Sequence, residues 1–276
     1  MKHLNMRNES GQKLALQPAR ALYRSLPGAP VREFFIYLPA SRKPDHIVVL
    51  MHGISENACE QLLRFAPEAE ARGAVLVAPL MQRAIFGQYQ QLVDPRSGIR
   101  ADDALFDILG TVREEIGLPA QPVDIFGFSG GGQFVHRFGF VHPHAVRSCV
   151  LVAPGWFSFP DPDLAYPQGL ADLPTGEQVF DEAAARSVPF HVVVGDQDIV
   201  RDASLRRSPG LDQRQGRTRL ERAVHWHQAM QDWGADPRGS LTILPGLGHS
   251  FAQAARDHDL PGLAFDLFDR GQNNNL

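Results

Sequence analysis

The chain is poor in cysteine: only Cys59 and Cys149 occur among its 276 residues. So few cysteines exclude the disulfide framework of a small stapled protein, and the fold must depend on a hydrophobic core. Cys149 lies in the apolar run Ser148–Val152, which predicts a buried strand. A free thiol in such a strand behaves as a small hydrophobic side chain.

Long apolar runs and blocks of basic residues are also missing. No stretch approaches the roughly 20 apolar residues of a membrane span, and Met1–Gln17 has no apolar core of a signal peptide. The formal net charge is −4 without a lysine or arginine block, which argues against nucleic acid or an acidic membrane surface as partners. We therefore expect a cytoplasmic protein. Acids are interspersed among the arginines of Arg201–Arg222, which we interpret as a solvated face rather than an anion site.

The chain does have enough apolar sequence for a large core. It is 43% hydrophobic and 21% charged, which is typical of globular proteins. No stretch rich in glycine, serine or charge divides it, so we predict one domain over residues 1–276. The regular pattern is interrupted at residues 156–187, which are rich in aromatic residues and proline. We interpret this segment as a small cap inserted over the sheet.

Apolar runs alternate with helical patterns along most of the chain. Ala21–Leu26 and Val31–Leu38 come first and predict an antiparallel hairpin. Later apolar runs predict strands buried on both faces, as in a parallel sheet. These runs are 47–51, 75–78, 123–128, 150–153, 189–194 and 241–244, and the predicted helices are 57–72, 101–116, 130–141, 216–233 and 250–268. The pattern predicts an α/β fold: a mainly parallel sheet with helices on both faces.

One glycine-rich stretch stands out between a predicted strand and a predicted helix. Gly127-Phe128-Ser129-Gly130-Gly131 fits the G-x-S-x-G pattern of a nucleophile elbow. A serine on so tight a turn needs neighbours without a Cβ, and its hydroxyl then stands at a helix N-terminus. Free backbone N–H groups there favour developing negative charge. The pattern also arises by chance, so its meaning depends on the rest of the chain.

Polar residues occur at four predicted strand ends, which meet at one edge of a parallel sheet. They are His52-Gly53, Ser129, Asp198 and His249. A serine nucleophile needs a base, and histidine suits this role because its unperturbed pKa is about 6.5. The histidine in turn needs a carboxylate that orients it. These residues could therefore form a catalytic triad.

The sequence resembles the α/β-hydrolase superfamily from about Val31 to Phe268, with the same order of serine, acid and histidine. The motifs that carry the resemblance are Leu50-Met51-His52-Gly53, Gly127-Phe128-Ser129-Gly130-Gly131, Gly195-Asp196-Gln197-Asp198 and Gly248-His249-Ser250. Within the superfamily, His52–Ala58 and Ser129–Gly132 are most similar to the polyhydroxybutyrate-depolymerase and feruloyl-esterase-like serine esterases.

This resemblance implies a role for each residue of the triad. Ser129 would be the nucleophile, His249 the general base and then acid, and Asp198 the orienting acid. Similar hydrolases place the acid three residues after the glycine that ends the strand, which is Asp198 after Gly195. Asp196 is interpreted as a turn-forming side chain.

An acyl transfer also needs donors for the oxyanion of its tetrahedral intermediate. The N–H of Gly130, just after the serine, is the first candidate. The second is the N–H of Ile54, with Gly53 as the alternative. His52 is interpreted as a brace for this loop, with a role as a ligand or base that contacts substrate as the alternative. Phe86, Trp156 and Phe157 are candidate substrate-binding residues, and packing in the core would explain them equally well.

Two H-x-H pairs raise the question of a metal. They are His142 with His144 and His225 with His227. Residues two apart on a helix point in different directions, and neither pair has an Asp or Cys cluster beside it. We expect no metal site and no cofactor. The glycines around Ser129 lack the lysine and the spacing of a phosphate-binding loop.

Together these features predict a cofactor-independent serine hydrolase that cleaves a small carboxylic ester through an acyl-enzyme. Cleavage of an amide, a thioester or a carbon–carbon bond on the same triad remains an alternative, because the pocket decides the leaving group. A non-catalytic binding protein of the same fold is the alternative from another class. The oligomeric state is left open.

Overall fold

The computed structural model describes residues 16–176 and 179–270 of the chain. The strands within these residues are β1 Ala21–Leu26, β2 Arg32–Tyr37, β3 His46–Met51, β4 Ala74–Leu80, β5 Val123–Phe128, β6 Val146–Val152, β7 Phe190–Gly195 and β8 Ser240–Leu244. The α-helices are α1 Ala58–Arg72, α2 Arg83–Phe86, α3 Ala101–Ile116, α4 Gly130–Val141, α5 Glu182–Arg186, α6 Pro209–Gln215, α7 Arg219–Asp232, α8 Phe251–Asp257 and α9 Leu260–Asp269. The predicted α/β architecture is confirmed.

The strands form one sheet in the order β1-β2-β4-β3-β5-β6-β7-β8. β1 and β2 make the predicted antiparallel hairpin, and β2 also runs antiparallel to β4. The other neighbours are parallel. Their continuous apolar runs fit this arrangement, because both faces of a parallel sheet are covered.

Each face of the sheet has its own hydrophobic layer. On β3, Val49 belongs to the layer that includes α3, α4 and α7, whereas its neighbours Val48 and Leu50 belong to the layer that includes α1, α8 and α9. Cys149 on β6 is a fully buried free thiol, as its apolar surroundings in the sequence predict. Because β5, β7 and β8 are parallel, the residues that follow them share one edge of the sheet.

The end of the chain differs from the expectation of one helix over residues 250–268. The structure has two helices, α8 and α9, separated at His258 and Asp259. Asp259 adopts a left-handed backbone with φ 45°, and its side chain accepts a hydrogen bond from the N–H of Gly262. Pro261 lies in the first turn of α9, where its missing N–H needs no partner. Asp259 and Pro261 therefore end one helix and begin the next.

Two segments are mainly irregular where they are described. Residues 80–100 contain only the short α2 and a 3₁₀ turn at Tyr89–Gln91 beyond the end of β4. Residues 156–176 form turns, and α5 lies near the end of the segment that was predicted as an insertion. Both segments contribute to the site described next.

Candidate active site

Ser129 occupies the turn between β5 and α4 in a conformation that non-glycine residues rarely adopt. Its backbone has φ 53° and ψ −109°, and its N–H donates to the carbonyl of Val152. A Cβ on Gly127 would lie 2.3 Å from the carbonyl carbon of Gly131, and one on Gly131 would lie 2.0 Å from the carbonyl oxygen of Met51. The two glycines are therefore required, and the strain at Ser129 is held by the elements around it.

A chain of hydrogen bonds joins Ser129, His249 and Asp198. The Oγ of Ser129 lies 3.1 Å from Nε2 of His249, and Nδ1 of His249 lies 2.8 Å from Oδ2 of Asp198. Asp198 is 1% exposed and Ser129 8% exposed. Donation from Nδ1–H to the carboxylate leaves Nε2 as an acceptor that faces the serine hydroxyl. The three side chains come from the loops after β5, β7 and β8.

Asp196 and Asp198 have different partners. Asp196 Oδ1 accepts a hydrogen bond of 2.7 Å from the N–H of Gly246, in the turn after β8. Asp198 instead faces the imidazole of His249. Asp196 thus ties the two loops together, and Asp198 is the carboxylate within reach of the histidine.

The imidazole of His249 also packs against an aromatic ring. Its centroid lies 5.1 Å from that of Phe128, with the planes 28° apart. Phe128 is the last residue of β5 and directly precedes Ser129. Contact with this ring limits rotation of the histidine, because it covers one face of the imidazole.

Arg219 is a residue of the site that the sequence interpretation missed. It lies on α7 and is 1% exposed, and its Nη1 is 3.3 Å from Oδ1 of Asp198. Its Nη2 donates to Ser204 Oγ at 2.6 Å. Arg222, one turn further along α7, is also buried and pairs with Asp212. The interpretation of this arginine-rich segment as a solvated face is therefore wrong for these two residues.

The burial of these arginines has a local reason. The buried side chains of α7 lie on one face at helical spacing: Arg219, Arg222, Ala223, Trp226 and Met230. The sequence does indicate this buried face, because two arginines three residues apart are followed by Ala223 and Trp226 at helical spacing. Their charge alone suggested that the two arginines lie at the surface, but a guanidinium that is paired with a carboxylate can be buried.

The loop after β3 is braced by two buried side chains. His52 is fully buried, its Nδ1 donates to the carbonyl of Gly53 at 2.6 Å, and its Nε2 accepts from the N–H of Met81 at 2.8 Å. Burial lowers the pKa of His52 and keeps the imidazole neutral, as its role as an acceptor requires. The hydroxyl of Tyr89 donates to the carbonyl of His52 at 2.7 Å.

This braced loop lies against the start of α4. A Cβ placed on Gly130 would be 3.5 Å from the backbone nitrogen of Ile54 and 2.8 Å from the hydroxyl oxygen of Tyr89. The side chain of Ile54 is 55% exposed. The backbone nitrogens of Gly130 and Ile54 therefore belong to neighbouring segments beside Ser129.

A cavity of about 520 Å³ adjoins this region, with Ile54, Gln133, Trp156 and Ser204 among its lining residues. Residues from 80–100 form a large part of the wall, and Trp156 and Pro167 come from the segment 156–187. Of the four candidate substrate-binding residues, Trp156 lines this cavity.

The other three candidates belong to the interior. Phe157 is fully buried and stacks on Trp226 with centroids 4.9 Å apart, and Phe86 is 2% exposed within the same hydrophobic layer. His52 is the buried brace described above. Of the two alternatives for Phe86 and Phe157, the structure favours packing in the core, because both side chains are buried in this hydrophobic layer.

Three of the four histidines in the H-x-H pairs bond with residues outside the pairs. His142 bonds with the buried Asp102, and His144 bonds with Asp181. His225 Nδ1 lies 3.0 Å from the carbonyl of Gln215. Among residues 16–176 and 179–270, no group of three or more His, Cys, Asp or Glu is placed to hold a metal ion. In the same part of the chain, every helix is too short or too polar to span a bilayer.

Comparison with known proteins gives matches at the level of structure. No protein-family model matches the chain, and no curated protein matches its sequence. Poly(aspartic acid) hydrolase-1 from Sphingomonas sp. KT-1 is similar with a TM-score of 0.76 and 24% identity, over 91% of this chain and 100% of that one. A poly(3-hydroxybutyrate) depolymerase from Bordetella parapertussis is similar with a TM-score of 0.71 and 24% identity, over 90% of this chain and 95% of that one.

A ferulic acid esterase is a third similar structure, with a TM-score of 0.59 and 18% identity over 90% of this chain and 98% of that one. At these identities the likeness concerns the fold. The parallel sheet with its antiparallel hairpin, the strained serine after β5 and these neighbours together show that the chain has the α/β-hydrolase fold.

Proposed function

We propose that the chain is a serine hydrolase that cleaves carboxylic esters through an acyl-enzyme. The observation that carries the proposal is the chain of hydrogen bonds from Asp198 through His249 to Ser129. It combines the three parts that nucleophilic catalysis by serine needs: a nucleophile, a base within hydrogen-bond reach and a carboxylate that orients the base. The names of the similar structures, which include hydrolases of an ester-linked polymer and of a ferulic acid ester, support the same reaction class.

In the first half of the reaction, Ser129 Oγ bonds to the ester carbonyl carbon while His249 Nε2 takes the hydroxyl proton. Asp198 stabilises the imidazolium that forms. The tetrahedral intermediate then collapses, the bond to the alcohol oxygen breaks, and His249 gives its proton to that oxygen. In the second half, a water loses a proton to His249 and attacks the acyl carbon. The bond between this carbon and Ser129 Oγ then breaks, His249 returns the proton to Oγ, and the acid leaves.

The negative charge of each intermediate needs fixed donors. We assign this role to the backbone N–H groups of Gly130 and Ile54, which lie on adjacent segments beside Ser129. Loss of one such donor raises the barrier by about 3–4 kcal/mol in other hydrolases. His52 and Tyr89 act indirectly, since they fix the loop that carries Ile54.

The neighbours and the cavity support an ester as the substrate. We take the substrate to be an ester that binds in the cavity beside Ile54, with residues 80–100 and the insertion at 156–187 deciding which esters fit. The whole chain would then act as a single α/β-hydrolase domain. No cofactor is needed for this chemistry, because each step uses only side chains, backbone donors and water.

Labelling with a fluorophosphonate, which reacts with activated serines, tests the proposal. Peptide mass mapping should place the adduct on Ser129 in the wild type and find it strongly reduced in His249→Ala. Ser129→Ala should lose both the label and the hydrolysis of para-nitrophenyl butyrate. Ser41→Ala, which changes an exposed serine before β3, is the matched control. Full esterase activity in Ser129→Ala would contradict the proposal.

A further inference from the structure

The cavity is lined by residues from several segments that lie next to Ser129 and Asp198. Ile54 belongs to the loop beside Gly130, and Gln133 lies in the first turns of α4, where its N–H donates to the carbonyl of Ser129 at 3.1 Å. Ser204 accepts the hydrogen bond from Arg219, which holds Asp198. A substrate with its ester carbonyl at Ser129 would therefore extend into this cavity.

The charges that line this cavity have one sign. Arg96 and Arg206 contribute guanidinium groups, both from exposed residues. Among the described residues that line the cavity, none is Asp or Glu, and the polar lining also includes four glutamines, at positions 88, 90, 91 and 133. Guanidinium groups and side-chain amides are the donors that bind a carboxylate.

A third guanidinium lies behind the wall of the cavity. Arg137 is fully buried, and its Cζ lies 4.2 Å from the ring centroid of Trp156, while the Cζ of Arg206 lies 4.7 Å from the same centroid. The two cations thus share one indole ring. Burial, with a smaller contribution from the positive charge of Arg206, lowers the pKa of Arg137 to about 10.

No carboxylate balances Arg137 in the described part of the chain. Its hydrogen bonds end on Ser158 Oγ and on the carbonyl oxygens of Gln90 and Gln133, and its Nη2 has no hydrogen-bond partner there. The contrast with Arg219 and Arg222 is direct, since each of those buried arginines has an aspartate. Like charges placed close together destabilise a protein unless an anion joins them.

We propose that this cavity binds a carboxylate, so that the substrate is an ester that carries a negative charge on the part lying beyond the scissile bond. Arg96 and Arg206 are the residues that contact this carboxylate. Trp156 holds the Arg206 guanidinium in place, and Arg137 adds positive potential from below. The inference rests on the proposed function, because it concerns the substrate of the same serine.

Pairs of matched esters test the inference. The first pair is the mono-para-nitrophenyl ester of adipic acid and its primary amide, which differ only in the negative charge of the acyl chain. The second pair is the acetyl ester of a hydroxybutyrate and that of the corresponding amide, which places the charge on the alcohol. We expect kcat/KM to favour the anionic member of at least one pair by about tenfold or more, the size of one charge-assisted hydrogen bond.

Variants distinguish the effect of the cavity arginines from that of the net charge of the protein. Arg206→Gln and Arg96→Gln should each lower the ratio of anionic to neutral kcat/KM about tenfold, and added salt should lower it in the wild type. Arg64→Gln removes the same charge from the exposed face of α1 and should leave the ratio unchanged. A wild-type ratio near one for both pairs, or an equal effect of Arg64→Gln, would overturn the inference.

Two further readouts complete the test. In the first, glutarate and poly(aspartic acid) are tested as competitive inhibitors of hydrolysis of the anionic ester. Inhibition by glutarate indicates a small anionic substrate, whereas inhibition by poly(aspartic acid) at a lower concentration of carboxylate indicates an acidic polymer. Inhibition by neither compound contradicts the inference. The proposed function is assessed separately by fluorophosphonate labelling of Ser129 and by hydrolysis of the neutral esters. Labelling and neutral hydrolysis without any preference for charge would reject the carboxylate site and leave the serine hydrolase intact.

Discussion

The guanidinium of Arg219 contacts the oxygen of Asp198 that does not face His249. Oδ1 of Asp198 lies 3.3 Å from Arg219, whereas Oδ2 lies 2.8 Å from the histidine. Both charged side chains are 1% exposed, so the carboxylate is held from two sides away from water. In the proposed reaction, this pairing would keep Asp198 fixed while the imidazole of His249 exchanges protons.

Arg219→Gln should reduce both stability and activity. A buried carboxylate that loses its cation destabilises the fold by about 3–5 kcal/mol, and a displaced Asp198 lowers kcat by roughly tenfold to a hundredfold. The acid limb of the pH profile of kcat/KM should also move to higher pH, because the unbalanced carboxylate stabilises the imidazolium of His249. Arg219→Lys, which keeps the charge, should show a smaller move.

Arg207→Gln is the control for this pH profile, since Arg207 is an exposed residue of the same arginine-rich segment. It should leave both the profile and the melting temperature unchanged. An unchanged profile in Arg219→Gln, in a protein that still folds, would show that Arg219 is structural and has no effect on the triad.

Tyr89→Phe tests the brace of the loop after β3. The hydroxyl of Tyr89 is buried and donates to the carbonyl of His52, so its removal should destabilise the protein by about 1 kcal/mol. It should lower kcat more than it raises KM, because the loop carries a proposed oxyanion donor that acts in the transition state. Tyr23→Phe removes an exposed hydroxyl on β1 and is the matched control in steady-state kinetics.

His191 on β7 should make the fold sensitive to acid. Burial lowers the pKa of His191 from 6.5 to about 4, so below pH 6.5 the unfolded state binds more protons than the folded state. The free energy of unfolding therefore falls as pH drops from 6.5 towards 4, by about 3 kcal/mol for this group. Denaturant unfolding at pH 7 and pH 4 should show a smaller fall in His191→Asn.

The exposed His144 provides the comparison for this measurement, because its side chain is 78% exposed. His144→Asn should keep a fall close to that of the wild type. Burial also lowers the pKa values of His52 and His136, so the variant at position 191 should retain part of the acid sensitivity. An equal fall in the free energy of unfolding between pH 7 and pH 4 in wild type and His191→Asn would contradict this role of His191.

Two glycine substitutions should have opposite effects. Gly131→Ala would place a Cβ 2.0 Å from the carbonyl oxygen of Met51, so the elbow must shift and both folding and activity should be lost or strongly reduced. Gly110→Ala lies on the exposed side of α3, where a Cβ meets nothing within 4 Å. It should stabilise the protein by about 0.5–1 kcal/mol, because alanine is the better helix former. Thermal melts of both variants test this contrast.

Much of the fold could be predicted because its signals are local. The strands of the parallel part are continuous apolar runs, and α1 and α3 end at glycines, Gly73 and Gly117, with left-handed backbones. Ser129, Asp198 and His249 could be proposed together because each follows a strand of the same sheet. The division of the last helix was also readable in Asp259 and Pro261, although its apolar periodicity continues across the break.

The features that could not be predicted depend on contacts between distant parts of the chain. Phe157 belongs to the core because Trp226 on α7 stacks on it, and Arg219 is buried because Asp198 lies beside it. Neither partner can be identified from the residues next to it in sequence. The cavity could not be predicted from the sequence for the same reason. Its wall combines irregular segments, and no periodic pattern in the sequence describes their paths.

The separate origins of the reacting groups and the cavity wall have a consequence for how such a protein changes over time. Ser129, Asp198 and His249 are held by the sheet, whereas most of the wall comes from residues 80–100 and 156–187. Insertions, deletions or exchanges in these two segments leave the register of the strands untouched. Changes in these segments could therefore alter substrate preference while the proposed triad stays in place.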